Sequence, residues 1–353
     1  MGNIDRKYLV MGGTIIGIIA VLLISMLVLS SCSASTNYEG IEKKLIKAAE
    51  NYVAEKSQVE PGNQLVITAD QLVSGGYIKD LDELKDDNCS ATVLAMNNGG
   101  VMNYLPNLVC DNYETKTLKA AIIDNSLVTK EDGLYAMDGE YVFRGKKVNN
   151  YLSFAGKTWR ILKIDKNGNI RLIDTAESDQ YVMWDNKYNT ETDYTTGEND
   201  YKTSFIRDYL NTEYKKYKDT TKKRIVPTDV CVGSRMKNNL VISYDVDCSE
   251  KIEKEYVSLI NPTDYAIASL DEDCKQINDG SCVNFNYMYN TITGTWTTNP
   301  IANDTYEVIL YSPGHFSATD ASDSNRYNLV IHISGNELFV KGTGTLEEPY
   351  VIE

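Results

Sequence analysis

The sequence has 353 residues, of which 42% are hydrophobic and 24% charged, and its formal net charge is −15. This composition is typical of folded rather than disordered proteins, and the length allows about two ordinary domains. The acidic balance argues against nucleic acid as a partner, and against a protein that lies flat on an anionic membrane.

Residues 8–29 form an uncharged, apolar run, YLVMGGTIIGIIAVLLISMLVL, which Arg6 and Lys7 precede. At about 1.5 Å rise per residue, a helix of this length crosses a hydrocarbon core of about 30 Å. We therefore predict a cytoplasmic tail at residues 1–7 and a transmembrane signal anchor at residues 8–30. Because basic flanks stay in the cytoplasm, the chain is expected to cross the cell membrane once, with its C-terminal domains extracellular.

A second interpretation stays open for the same segment. Leu29-Ser30-Ser31-Cys32 resembles a bacterial lipobox, in which the cysteine is acylated and becomes the mature N-terminus. A cleaved signal peptide has a shorter apolar region of about 7–15 residues, which favours the uncleaved anchor. Cys32 is therefore a candidate lipidation site, and both interpretations tether the protein to the membrane with its bulk outside.

The other cysteines fall into pairs that are close in sequence: Cys89 and Cys110, Cys231 and Cys248, and Cys274 and Cys282. Six cysteines allow many connectivities, so nearest-neighbour pairing is a hypothesis. An even set of this kind suits an oxidising exterior. Zinc is the alternative, although no C-x₂-C pair is present, and we predict disulfide bonds and no metal.

Residues 36–112 predict a module of helices and a hairpin. Apolar residues recur at helical spacing from Tyr38 to Val53, and a second helix is expected from near Thr68 to Gly75. Residues 89–96 and 101–105 are predicted to form a hairpin around a glycine-rich turn. A Cys89–Cys110 bridge would join the outer ends of this hairpin. This order, with the segment GGYIKDLDEL…C…YLPNLVC, resembles pilins and the pilin-like modules of Gram-positive surface proteins.

One departure from the pilin pattern limits what the resemblance implies. Type IV prepilins carry a glutamate near the start of the apolar segment, and it pairs with a neighbouring N-terminus during assembly. Between Gly13 and Leu29 this chain has no acidic residue. The resemblance therefore implies a pilin-like stalk that does not polymerise into a fibre.

Residues 113–138 are predicted as a linker, with a helical turn or two around residues 118–123. From residue 139 the pattern changes to short strands and tight turns, expected as a meander over 140–145, 149–156, 158–164 and 169–174. Helices are predicted at 204–217 and after Asn261, and further strands at 256–260 and towards the C terminus. Strands with segregated helices indicate an α+β domain on antiparallel sheet over residues 139–353.

Several segments of this domain resemble one family, in order: GLY (133–135), YVFRG (141–145), NNYLSFAGKTWRI (149–161), SFIRDYLN (204–211), INPTDYAIAS (260–269), TWT (295–297) and GTGTLEEPY (342–350). The family is a set of uncharacterised Gram-positive surface domains, often joined to pilin-like N-termini. The resemblance implies a C-type-lectin-like fold, similar also to formylglycine-generating enzymes. Relatives commonly have Arg-Pro where this chain has Asn328-Leu329. Because the activity of the family is unknown, the resemblance implies architecture and location but no mechanism.

The sequence lacks the zinc-protease, α/β-hydrolase, P-loop and dinucleotide-binding motifs, so no enzyme activity and no cofactor are predicted. His315 lies near Ser317 and Asp320, although triad residues usually converge from distant segments. His332, between two isoleucines, is expected to be a structural residue. The loop with Asp320 and Asp323 is a candidate Ca²⁺ site, and a solvated surface loop is the simpler interpretation.

Trp184, Tyr287 and Tyr289 are candidate ligand contacts, because aromatic rings provide stacking surfaces for sugars. Trp184 is expected at the surface, since it lies in a long polar loop. Trp159 and Trp296 are expected in the core, since both lie within strands.

These patterns predict a membrane-anchored extracellular surface protein. Its C-terminal domain would be a non-catalytic, adhesin-like module that binds a glycan or another surface protein. The alternative is a pseudopilin-like component of a secretion or pilus assembly machine.

Overall fold

The computed structural model describes residues 37–56, 59–61, 63–79, 88–98, 101–175, 180–185, 199–292, 294–302, 307–312 and 315–352. The predicted tail (1–7), the predicted anchor (8–30) and Cys32 lie outside these residues. Within the described residues, no helix is both long enough and apolar enough to cross a membrane. The chain divides into two units, one holding the described parts of residues 1–97 with 106–114, the other holding 98–105 with 115–352.

The first unit contains the helices α1 (Tyr38–Lys56) and α2 (Ala69–Ser74). Helix α1 forms where the apolar spacing predicts it, and it buries the side chains of Ile41, Leu45, Ala48, Ala49 and Val53. Thr68 caps α2, because its Oγ1 accepts a hydrogen bond from the backbone N–H of Gln71 at 3.2 Å. The Gln71 side chain in turn accepts from the backbone N–H of Thr68, which completes a capping box.

A small sheet has the order β1-β2-β3. Its strands are β1 (Gln64–Thr68), β2 (Ser90–Asn98) and β3 (Val101–Val109). The predicted hairpin is therefore confirmed as β2 and β3, whereas β1 was not predicted. The Cys89–Cys110 disulfide joins the outer ends of these two strands.

The main sheet of the second unit has the order β12-β17-β8-β7-β6-β19-β18. Its strands are β4 (Gly133–Met137), β5 (Glu140–Arg144), β6 (Tyr151–Phe154), β7 (Lys157–Ile164), β8 (Asn169–Asp174), β12 (Val257–Ser258), β17 (Val330–Ser334), β18 (Phe339–Lys341) and β19 (Tyr350–Ile352). Strands β6, β7 and β8 form the predicted antiparallel meander. Strand β5 departs from it, because it pairs with β4 and with the end of β7 instead of with β6. The last strand, β19, pairs with β6 in parallel.

Among its described residues, the second unit also contains two two-stranded sheets and one three-stranded sheet. Their strands are β9 (Val182–Met183), β10 (Thr228–Cys231), β11 (Lys251–Glu255), β13 (Thr295–Pro300), β14 (Glu307–Ser312), β15 (His315–Asp320) and β16 (Ser324–Asn325). Strand β10 pairs with β11, and β16 pairs with β9. Strand β14 lies between β13 and β15, and all of these pairings are antiparallel.

The helices of the second unit alternate with these strands along the sequence. They are α3 (Leu118–Ser126), α4 (Phe205–Lys215), α5 (Asp219–Lys222), α6 (Tyr244–Asp247) and α7 (Pro262–Ile267). The predicted helices at 204–217 and after Asn261 are confirmed as α4 and α7. The predicted linker (113–138) differs from the structure, since it contains α3 and β4. Leu118, Ala121 and Ile122 of α3 are fully buried, and this burial anchors the segment in the second unit.

Disulfide bonds join Cys231 to Cys248 and Cys274 to Cys282 within the second unit. Together with Cys89–Cys110 they confirm the nearest-neighbour pairing. The architecture is mixed α+β with mainly antiparallel sheets, as predicted from the pattern of strands and helices.

Candidate functional site

Three basic side chains stand side by side across the main sheet. Lys163 in β7 lies opposite Arg171 in β8, which lies opposite His332 in β17. Directly opposed residues of neighbouring antiparallel strands project from the same face, so these residues form a row, called here the basic row. Their neighbours along each strand face the other side, which is apolar: Ile164, Ile170, Leu172, Ile331 and Ile333, all fully buried.

Each permanent charge of the basic row has a carboxylate partner. Lys163 Nζ lies 2.9 Å from Glu140 Oε2, and the two side chains are 11% and 18% exposed. Arg171 Nη1 lies 2.7 Å from Asp264 Oδ1, and these side chains are 8% and 2% exposed. Like charges on adjacent strands repel one another, so these pairs are what allows the row to form.

Asp264 and Lys163 are held in place by further contacts. The Tyr244 hydroxyl donates to Asp264 Oδ1 at 2.8 Å, and the Asn261 backbone N–H donates to Asp264 Oδ2 at 2.8 Å. Lys163 Nζ also stands 4.2 Å from the centre of the Tyr244 ring, a cation–π distance. Helix α7 therefore presents its carboxylate in a fixed position, and α6 contributes the tyrosine that touches both ion pairs.

His332 completes the row as a neutral group. Its Nδ1 lies 3.0 Å from Thr228 Oγ1 in β10. Burial lowers the pKa of His332 well below its ordinary value, and the positive charges of Arg171 and Lys163 lower it further. The imidazole is uncharged at neutral pH, so two positive charges in the row face two carboxylates.

The basic row lines a cavity of about 800 Å³ in the second unit. Glu140, Tyr244 and Thr228 contribute to its walls, and the Cys231–Cys248 bridge lies in its lining. Side chains of both signs line the rest of it: Asp138, Asp165, Lys166, Asp229, Asp245 and Lys251. Within the described residues, Arg171 Nε is buried and has no hydrogen-bond partner. The lining therefore mixes apolar side chains, such as Met137, Val142 and Ile242, with charged ones, of which five are acidic and four are basic.

A buried ion pair holds the end of α6 in place. Arg235 Nε lies 2.5 Å from Asp247 Oδ1, and both side chains are almost completely buried. Asp247 Oδ2 accepts the backbone N–H of Thr263 at 3.0 Å, which links α6 to the first turn of α7. Burial raises the pKa of Asp247, and the bonds from Arg235 and Thr263 oppose that effect.

His332 is poorly suited to acid–base chemistry in this cavity. His332 is the imidazole of the cavity, and its lowered pKa makes it a weak proton acceptor. Its hydrogen bond with Thr228 agrees with the structural role predicted for it, and its place in the cavity lining was not predicted.

The structure does not bring His315, Ser317 and Asp320 together. His315 is exposed at the start of β15, with Asp320 five residues further along the same strand. At about 3.3 Å per residue the two side chains are about 16 Å apart. The sequence neighbourhood of His315, Ser317 and Asp320 is therefore spread along one strand instead of gathered at one point.

The carboxylates of the candidate Ca²⁺ loop bind the loop itself. Asp320 Oδ1 accepts the backbone N–H of Ser322 at 2.8 Å and its hydroxyl at 2.9 Å. Asp323 Oδ2 accepts the Thr319 hydroxyl at 3.2 Å. In the part of the chain that the structure describes, no group of three or more His, Cys, Asp or Glu residues could hold a metal ion.

The prediction that Trp184 is a surface aromatic is wrong. Trp184 is fully buried, and its Nε1 donates to the Thr297 carbonyl at 2.9 Å. The sequence around Trp184 is polar and does not predict a strand, but Trp184 directly follows β9, which pairs with β16. Tyr287 is also buried, beneath the guanidinium of Arg160 at 4.5 Å, whereas Tyr289 is 41% exposed. Trp159 and Trp296 are fully buried, as predicted.

Sequence reasoning missed the cavity residues Glu140, Lys163, Arg171 and Tyr244, and also Asp264, which pairs with Arg171. One signal was present, because Ile170-Arg171-Leu172 and Ile331-His332-Ile333 each place a basic residue between apolar neighbours on a strand. Such alternation marks one residue per strand on the face opposite the apolar core.

No protein-family model matches this chain, and no curated protein and no solved structure matches it either.

Proposed function

We propose that this chain is a membrane-tethered extracellular surface protein whose second unit binds a glycan without catalysing a reaction. The apolar run at 8–30, which lies outside the described residues, supports the tether. The three disulfide bonds support an oxidising location. The pilin-like stalk and the lectin-like head remain predictions from the resemblance.

The observation that carries the proposal is the charge-paired cavity. Its volume of about 800 Å³ falls within the range of small-ligand sites, about 300–1,000 Å³. Its lining offers donors and acceptors on side chains that ion pairs already hold in place. A concave site that contains several charged and polar groups suits the hydroxyl groups of a sugar better than the flat surface of a protein partner.

The test is a glycan array probed with the full-length chain in detergent micelles. Asn167 is exposed in the β7–β8 turn and lines the cavity, so Asn167→Trp should obstruct it. Asn336 is exposed in the β17–β18 turn and does not line the cavity, so Asn336→Trp is the matched control. We expect binding that the Asn167 variant loses and the control keeps. Equal binding by both variants, or no binding by the parent, would contradict the proposal.

A pseudopilin-like role is the second candidate, and the first unit favours it. Helix α1 precedes a small antiparallel sheet whose outer ends a disulfide joins, which is the layout expected of a pilin module. Crosslinking in cells tests this role. Recovery of like subunits or of an assembly ATPase platform would support it, and recovery of neither would remove its support.

A further inference from the structure

We infer that the ligand of the cavity is an uncharged, polyhydroxylated sugar held by the Lys163–Glu140 ion pair and by Arg171, which Asp264 keeps in place. This inference rests on the proposed function and narrows it to a class of ligand. It uses the charges, burial and contacts of the cavity and requires no metal ion.

The ion pairs of the basic row disfavour a ligand that would place a net charge beside the row. Each cation of the basic row already has a carboxylate within 2.9 Å, and His332 is neutral. An anionic ligand at the row would bring its charge beside Glu140, and a cationic ligand would bring its charge beside Lys163 and Arg171. Burying a charge without a new partner is unfavourable, so a neutral ligand is favoured.

Hydroxyl groups fit the hydrogen-bonding capacity that the ion pairs leave. An ammonium has three N–H donors and a carboxylate about four lone pairs, and the Lys163–Glu140 bond uses one of each. Arg171 Nε has no partner within the described residues. A sugar hydroxyl can accept from Lys163 while it donates to Glu140, since it is both donor and acceptor. Hydrogen bonds to ionised groups are about twice as strong as those between neutral groups.

The polar groups are also held in place before a ligand arrives. Lys163 is fixed by Glu140 and by the ring of Tyr244, and Asp264 is fixed by Arg171, Tyr244 and the backbone of Asn261. Binding therefore orders few side chains, which favours weakly hydrophobic ligands such as sugars.

The experiment compares matched forms of the same oligosaccharides on one array: the neutral sugar, its uronate and its amino sugar. The full-length chain is the probe, and only binding that Asn167→Trp abolishes is counted. We expect the neutral form to bind at least about tenfold more tightly than both charged forms. We also expect its affinity to change less than about twofold between 0.05 and 0.5 M NaCl, since salt screens charged ligands.

Glu140→Gln tests whether the Lys163–Glu140 pair sets the preference for a neutral ligand. If Glu140 had only a structural role, this preference would not change. The variant leaves Lys163 without its carboxylate, so the cavity gains a positive charge. The ratio of uronate to neutral-sugar affinity should rise at least about tenfold. Glu337→Gln is the control, since Glu337 pairs with Arg224 at similar burial but does not line the cavity, and it should leave the ratio unchanged.

The outcomes separate the inference from the proposed function. Cavity-dependent binding of a uronate or an amino sugar in preference to the neutral form overturns the inference and leaves glycan binding standing. An unchanged ratio in a folded Glu140→Gln variant also overturns the inference. The absence of any cavity-dependent binding on the array overturns both.

Discussion

His332 makes the stability of the second unit depend on pH. Burial, reinforced by the charges of Arg171 and Lys163, holds its pKa well below the value of about 6.5 expected for an unfolded chain. Below about pH 6.5 the unfolded chain binds a proton that the folded chain does not. The contribution of His332 to the free energy of unfolding therefore falls with decreasing pH, by up to about 1.4 kcal/mol per unit, until the folded-state pKa is reached.

We predict that His332→Gln removes this component of acid sensitivity. Urea unfolding at pH 7.5 and pH 5.5 measures it, as the difference in unfolding free energy between the two conditions. His315→Gln is the matched control, because His315 is exposed and should leave the difference unchanged. Equal pH dependence in the His332 variant and the parent would show that the imidazole is protonated in the folded chain.

The buried pair of Arg235 and Asp247 gives a second prediction at this scale. Asp247→Asn leaves the guanidinium of Arg235 buried with no opposite charge, which costs about 3–5 kcal/mol of unfolding free energy. Asp245→Asn, two residues earlier in α6 and exposed, should change stability by less than about 0.5 kcal/mol. Chemical denaturation of the two variants compares them directly. A loss below about 1 kcal/mol for Asp247→Asn would mean that water reaches Arg235.

At the scale of elements, the Cys231–Cys248 bridge connects β10 to the end of α6, and both contribute side chains to the cavity. We predict that replacing both cysteines with alanine costs about 3 kcal/mol and weakens glycan binding, because Tyr244 loses its fixed position. The same change at Cys89 and Cys110, in the first unit, should cost a similar amount and leave binding intact. Denaturation and array binding of the two variants give the comparison. Undiminished binding without the Cys231–Cys248 bridge would contradict this role.

The sequence predicted elements better than it predicted the site. Apolar spacing located α1 and α4, and alternation located β7 and β8, since local patterns determine these elements. The cavity depends on contacts between residues far apart, such as Arg171 and Asp264, which are 93 positions apart. It also depends on a register shift between Ile161 and Lys163, which sets Lys163 in place of Leu162 opposite Arg171. A bulge of one residue has no sequence signal strong enough to reveal it.

At the scale of the whole molecule, the proposed extracellular location accounts for both the apolar run and the disulfide bonds. A chain that is not exported would meet a reducing cytosol, where the bridges would not persist. We predict that the full-length chain is found in the membrane fraction, with its bridged cysteines unreactive to alkylating reagents until a reductant is added. Cys32→Ser distinguishes the two kinds of tether. If the anchor is uncleaved, the variant stays in the membrane fraction; if the tether is a lipid on Cys32, the variant leaves that fraction.

Two arginines in the apolar run test the link between export and folding. Each arginine near the centre of a membrane helix costs about 2.5–3.5 kcal/mol of insertion, so Leu22→Arg with Leu23→Arg should leave the chain in the cytosol. Its thiols should then react without a reductant, and glycan binding should fall because the Cys231–Cys248 bridge is missing. Arginines at Asn51 and Ala54, exposed positions of α1, are the control and should change neither result. If the variant with arginines in the apolar run still has protected thiols, the disulfide bonds form without export through this segment, and the apolar run is not what places the protein outside the cell.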